Sequence, residues 1–169
     1  MRARTASPVL SLPELQPLLA NADHIDVKTV LGDGDLRTFI AAFLNYSPVW
    51  LKSLFVVRAV FVRFLGMRQG HIGSDKRLTP ERVPMQIGKR VAFFTVCMAD
   101  EDHYWFAENS DKHLKGTLGV IVEPLAGQQK RFHVITIVHY HNWAGPVYFQ
   151  VIKPFHHLVV ARMAQAGSK

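Results

Sequence analysis

Apolar and polar positions change their rhythm several times along the chain. In DHIDVKTV, residues 23–30, Ile25, Val27 and Thr29 alternate with Asp26 and Lys28, the period of a strand with one wet face. LGDGD then marks a turn, with Asp35 placed to cap the short helix LRTFIAAFL. In NYSPVW, Ser47 suits an N-cap and Pro48 the first turn of a second helix, which Gly66 would end. Residues 67–90 hold Gly70, Gly73, Pro80, Pro84 and Gly88, and read as irregular with one or two short strands. RVAFFTVCM, HYWFAE, HLKGTLGVIVE and RFHVITIVHYHN are rich in β-branched and aromatic residues. The turn-like ADED, NSDK and PLAGQQ separate them, so these four segments predict an antiparallel meander. One long helix, from about Trp143 to Ala166, closes the chain.

Helices do not alternate with strands in the second half, which excludes a parallel α/β sheet. The pattern predicts an α+β fold: a curved antiparallel sheet, two short helices, and a long C-terminal helix across one face. Residues 1–22 read as an irregular lead-in and residues 23–166 as a single domain. On a wheel of about 100° per residue, Tyr148, Ile152, Phe155, Val159 and Met163 of the last helix form one stripe. Val147, Val151 and Leu158 widen it. His157 falls opposite, toward solvent, and His156 at the stripe's edge. Pro154 cannot donate to the Gln150 carbonyl, so a bend is expected there.

A hairpin centred near Gly127 would place Leu114, Leu118, Val120 and Val122 on one face with Phe132, Val134, Val138 and Tyr140. That apolar face should meet the helix. The other face would carry His113, Lys115, Thr117 and Ile121 with His133, Ile135, Ile137, His139 and His141, setting His113 opposite His141. Three histidines together invite a metal. Lys115 among them opposes a cation and no carboxylate is placed to orient the rings, so no metal site is expected.

Composition narrows the class. With 169 residues, 49% hydrophobic and 20% charged, the chain can bury a core without staples. Its single cysteine, Cys97, excludes an intrachain disulfide and fits a reducing, cytoplasmic setting; it reads as a small core residue. The start lacks a signal-peptide run, and Lys52, Arg58 and Arg63 interrupt VWLKSLFVVRAVFVRFLG too often for a membrane span. The formal charge is +7, concentrated in residues 63–90, which reads as a solvated connector and is compatible with contact to a membrane surface. No zinc-finger, RNA-binding or helix-turn-helix pattern is present, and no nucleic-acid partner is expected. GxSxG, GxGxxG and P-loop patterns are also absent, so no catalytic residue and no cofactor is assigned.

Three segments carry a resemblance: SPVWLKSLFVVRAVFVRFLGM, DKHL at 111–114, and HNWAGPVYFQVIKPFH at 141–156, of the form H-N-x2-G-x2-Y-x3-I-x-P-F-H. In these, over roughly residues 23–165, the chain resembles DUF2867, a family of unknown function within the START and Bet v 1-like (SRPBCC) helix-grip superfamily. The resemblance implies a cavity between sheet and helix for an apolar or amphipathic molecule, shared by carriers and enzymes alike. The residues expected to line it are Trp105, His113, Tyr140, His141, Trp143, Tyr148, Phe155 and His156, with Phe106 among the aromatic residues near them. The first expectation is a small-molecule binding module. The alternatives are an enzyme of the polyketide cyclase or dehydratase type with a histidine acid/base, and a peripheral membrane or interaction protein using helix 48–65 and the basic stretch. Nothing in the pattern sets an oligomeric state.

Overall fold

A computed structural model describes residues 8–51 and 77–169. Residues 52–65 of helix 48–65, Gly66 and the first half of the basic stretch lie outside these residues. The strands are β1 (His24–Gly32), β2 (Arg90–Val91), β3 (Phe94–Asp100), β4 (Tyr104–Ser110), β5 (Leu114–Pro124) and β6 (Lys130–Tyr140). The helices are α1 (Gln16–Leu19), α2 (Leu36–Asn45) and α3 (Ala144–Gly167). Among the described residues, these six strands form one antiparallel sheet in the order β1-β6-β5-β4-β3-β2, with α3 across it. This is the α+β helix-grip arrangement expected.

The β3–β6 meander follows the sequence pattern. Asp35 caps α2, its Oδ1 accepting from the Thr38 amide at 2.7 Å. Residues 49–51 are helical, and the Leu51 amide donates to the Pro48 carbonyl, as the Ser47-Pro48 pair predicts. RVAFFTVCM, read as one strand, is two: Ala92 sits at φ 51°, a turn residue that folds β2 back onto β3. The β5–β6 register agrees with the hairpin centred at Gly127, pairing Lys115 with His139 and Leu114 with Tyr140.

Both faces of the sheet are covered. On the α3 face, Trp105, Ala107, Leu118, Val120, Val122, Phe132 and Val134 pack with Leu36, Phe39, Ile40 and Phe43 of α2 and with Val160 and Ala164 of α3. Phe39 stacks on Phe132 with centroids 4.2 Å apart. On the opposite face, Phe106, Ile121, Ile135 and Ile137 pack against Leu15, with Val9, Leu10, Leu18 and Leu19 around it. The lead-in from residue 8 is therefore two 3-10 turns and α1, and it closes that face. Gly119 exists for this packing: a Cβ there would lie 1.9 Å from the Phe106 ring.

The seam of α3 differs from the wheel. Its buried residues are Ala144, Gly145, Tyr148, Phe149, Val160 and Ala164. Val147, Val151, Phe155 and Leu158 are about half exposed, and Trp143 is 80% exposed. Small residues decide this. A Cβ on Gly145 would lie 2.7 Å from the His113 carbonyl oxygen, and one on Gly167 would lie 3.0 Å from Phe39. Close approach at these two glycines fixes the rotation, and a count of large apolar side chains missed it.

Candidate functional site beneath the C-terminal helix

The rotation of α3 turns both histidines of KPFHHL inward. His156 reaches β6, with Nε2 3.4 Å from the Thr136 hydroxyl. His157, expected in solvent, reaches β1: its Nδ1 lies 3.3 Å from Lys28 Nζ and 3.3 Å from Asp26 Oδ2. Lys28 Nζ is itself 3.0 Å from Asp26 Oδ2. His24 completes the group, its ring centroid 4.9 Å from Phe149 and 5.7 Å from His157. The supposedly wet face of β1 thus lies under α3. Alternation correctly separated Asp26 and Lys28 from Ile25 and Val27, but the helix covers the polar side.

The electrostatics follow from burial. Burial pushes the Asp26 carboxyl up, but the Lys28 hydrogen bond and charge, with His157, outweigh it and hold the group below its ordinary range. The His156 imidazole is pushed down to about 4, first by burial and then by the charge of His157. It is neutral at physiological pH. His157 Nδ1 has two mutually exclusive partners. It accepts from Lys28 only when bare and donates to Asp26 only when protonated.

The histidines of the resembling motifs serve a joint instead. His141 donates its amide to the His113 carbonyl at 2.7 Å, as the predicted pairing requires. The His113 ring Nδ1 lies 3.0 Å from Asn142 Oδ1, and His141 Nδ1 lies 2.9 Å from the Asp111 carbonyl oxygen. Asn142 donates to the Lys112 carbonyl and accepts from the Ala144 amide, both at 3.0 Å. Asp111 Oδ1 accepts from the His113 and Leu114 amides. DKHL and HNWAG thus lock the β4–β5 corner to the start of α3. His139 points to the other face, Nε2 3.0 Å from the Ala20 carbonyl oxygen. Among the described residues, no group of three or more His, Cys, Asp or Glu side chains is arranged to hold a metal ion.

The aromatic residues expected to share one space are divided. Trp105 is fully buried, its Nε1 donating to the Pro84 carbonyl at 2.9 Å, while Phe106 points to the opposite face. Tyr148, on α3 itself, is buried, and Tyr140 lies against the first turns of that helix, its ring 6.1 Å from Phe149. Trp143 and Phe155 face outward. Sequence reading missed His24, Asp26, Lys28, Thr136 and His157, because their meeting depends on how α3 is rotated.

One further residue stands out. Gly116 shares the α3 face with its partner Val138, two residues from Thr136. No atom of the described residues lies within 4 Å of where its Cβ would sit, and its φ is not positive. Among the described residues, neither turn geometry nor packing requires glycine there. Its neighbours on this face are Leu114, Leu118, Val138 and Tyr140, with the exposed Asn109 opposite it on β4.

No helix among the described residues is long and apolar enough to cross a membrane. No curated protein matches the chain. Among solved structures, norcoclaurine synthase of Thalictrum flavum, a point mutant in complex with a transition-state analogue, is similar at 10% identity and TM-score 0.43, over 86% of this chain and 91% of its own. Ara h 8.0201 is similar at 10% identity and TM-score 0.41, over 85% and 97%. A hypothetical protein from Helicobacter pylori is similar at 13% identity and TM-score 0.43, over 99% and 100%. The profile of the protein family of unknown function DUF2867 matches residues 18–163, and the chain belongs to that family.

Proposed function

We propose that the chain binds a small apolar or amphipathic molecule on the α3 face of the sheet, seated against Gly116. The observation that carries this is Gly116, the third residue of β5 and paired on both sides, where no atom of the described residues lies within 4 Å of a Cβ. A strand glycine with no packing partner weakens the strand, and such a position commonly marks close approach by a ligand. Leu114, Tyr140 and Val138 give it an apolar rim, and His156 with Thr136 offers a neutral polar pair one step along β6. A ligand covering about 300 Å² of apolar surface would gain at most about 7 kcal/mol from that term. Micromolar affinity needs about 8 kcal/mol, so one or two polar contacts must contribute.

The test is a panel of fatty acids, sterols and aromatic polyketides, scored by thermal shift and by displacement of a fluorescent apolar probe. A Gly116→Phe variant should fold and lose binding at least tenfold. Absence of any hit below about millimolar, or undiminished binding by Gly116→Phe, would sink the reading.

The cyclase or dehydratase alternative gains one specific support, the contact of His157 Nδ1 with the Asp26 carboxylate at 3.3 Å. A carboxylate-oriented imidazole is the usual form of a general acid/base. Under that reading, His157→Gln abolishes turnover of a panel substrate and leaves its binding intact.

A further inference from the structure

Helix α3 carries apolar residues on both sides, the sheet-facing side also holding His156 and His157. One side is sealed against the sheet, yet Val147, Val151, Phe155 and Leu158 stay about half exposed on the other, with Trp143 at 80% just before the first turn. Positions 147, 151, 155 and 158 follow helical spacing, so they form one continuous outer stripe rather than scattered surface residues. Together with Trp143 the stripe covers residues 143–158, about 24 Å of helix. An ordinary solvated helix has charged residues there, and a contiguous apolar patch on an otherwise folded surface marks an interaction site.

The charge pattern selects among occupants. Across its 24 residues α3 holds Lys153 and Arg162 and no carboxylate, within a chain of net charge +7. Pairing with a second copy would bring the Arg162 side chains of two such helices together with no acidic group on either helix to offset them. A bilayer containing anionic lipid satisfies both features: its acyl boundary takes Val147, Val151 and Leu158, and its headgroups take the exposed Arg162, which shares the stripe's side of the helix, whereas Lys153 lies on the sheet-facing side. Trp143, at the end of the stripe, has the amphipathic ring that settles at a headgroup boundary.

We infer that the outer face of α3 docks on anionic membrane surfaces, with residues 143–158 lying in the plane of the interface. This surface is distinct from the ligand position at Gly116 and does not depend on it.

The experiment uses the full chain with two vesicle preparations: phosphatidylcholine with phosphatidylglycerol at about 3:1, and phosphatidylcholine alone. The expected result is sedimentation with the anionic vesicles and a blue-shifted Trp143 emission, isolated by difference from Trp143→Phe. Binding should weaken at least tenfold in Val147→Asp/Val151→Asp/Leu158→Asp, with an unchanged circular dichroism spectrum. It should also weaken at least fivefold on phosphatidylcholine alone. If the triple variant fails to fold, quenching of Trp143 in the parent protein by brominated acyl chains decides the matter. Three outcomes overturn the inference: no sedimentation with either vesicle, undiminished binding by the folded triple variant, or no quenching of Trp143. A stable dimer that the triple variant dissociates, without vesicle binding, would assign the face to a second copy instead.

Discussion

His156 should make stability fall as pH falls between neutrality and about pH 4. Its imidazole titrates near 4 in the folded protein against 6.5 in an unfolded chain, because burial beneath α3 disfavours the charged form. Between those values the unfolded state binds the extra proton and the folded state does not. The contribution is intact above pH 6.5, is lost progressively below it, and levels off once the folded group also protonates. Working through the linkage, the loss between pH 7.5 and pH 4 is about 3 kcal/mol. Other groups act elsewhere or in the opposite sense. Asp26, lowered from 3.8, contributes stability that is lost only as pH drops below that value. His103 is raised by its hydrogen bond to Asp100, so its small contribution is present below pH 6.5 and lost as pH rises through the folded value. The assay is the urea midpoint by circular dichroism at half-unit pH steps, for the parent protein, His156→Phe and His156→Gln. Comparing slopes cancels the background from other groups. Both variants should flatten the curve between pH 6.5 and pH 4 by about 3 kcal/mol. A parent-like slope in both would refute the claim that α3 holds His156 neutral.

Three further outcomes are expected. Gly119→Ala should cost about 3 kcal/mol, since its Cβ meets the buried Phe106 ring at 1.9 Å, whereas Gly116→Ala should gain about 0.5 kcal/mol by restricting the unfolded chain; urea denaturation checks both. Asn142→Leu should lose about 2 kcal/mol by the same assay, because it removes contacts to Lys112, His113 and the Ala144 amide at once. Burial, then the charge of Glu108, pushes the Cys97 thiol up to about 11, so a disulfide reagent at pH 7.5 should label it slowly in the folded protein and rapidly in urea.

The meander was legible because strand chemistry and turn residues repeat locally from Arg90 to Tyr140, and parity alone assigned each side chain of β5 and β6 to a face. The site was not. His157 looked solvent-facing because a wheel weighs large apolar residues, and Val147, Val151, Phe155 and Leu158 drew the predicted stripe toward them. The rotation was set instead by Gly145 and Gly167, whose importance lies in the partner surfaces they approach. Asp26 and Lys28 looked wet because alternation shows that two faces differ without showing which is covered. The motif histidines, His113 and His141, drew attention by their spacing and proved to hold a corner. Gly116 carried no local signal, since its distinction is that no described residue packs against its position.

The pairing of β1 with β6 also bears on how the chain reaches this structure. Every other strand pairs with its neighbour in sequence, but β1 joins a partner about a hundred residues later. Closing so long a loop is entropically costly until the intervening strands have collapsed. The expected order is therefore a meander that assembles first, with β1 and α3 arriving late. Since His157, Asp26 and Lys28 all sit on those two elements, the polar cluster should be absent from the folding transition state. Asp26→Asn should then speed unfolding and leave the refolding rate nearly unchanged, which stopped-flow kinetics in urea would show. A slowed refolding limb would instead place the β1–α3 contact in the nucleus.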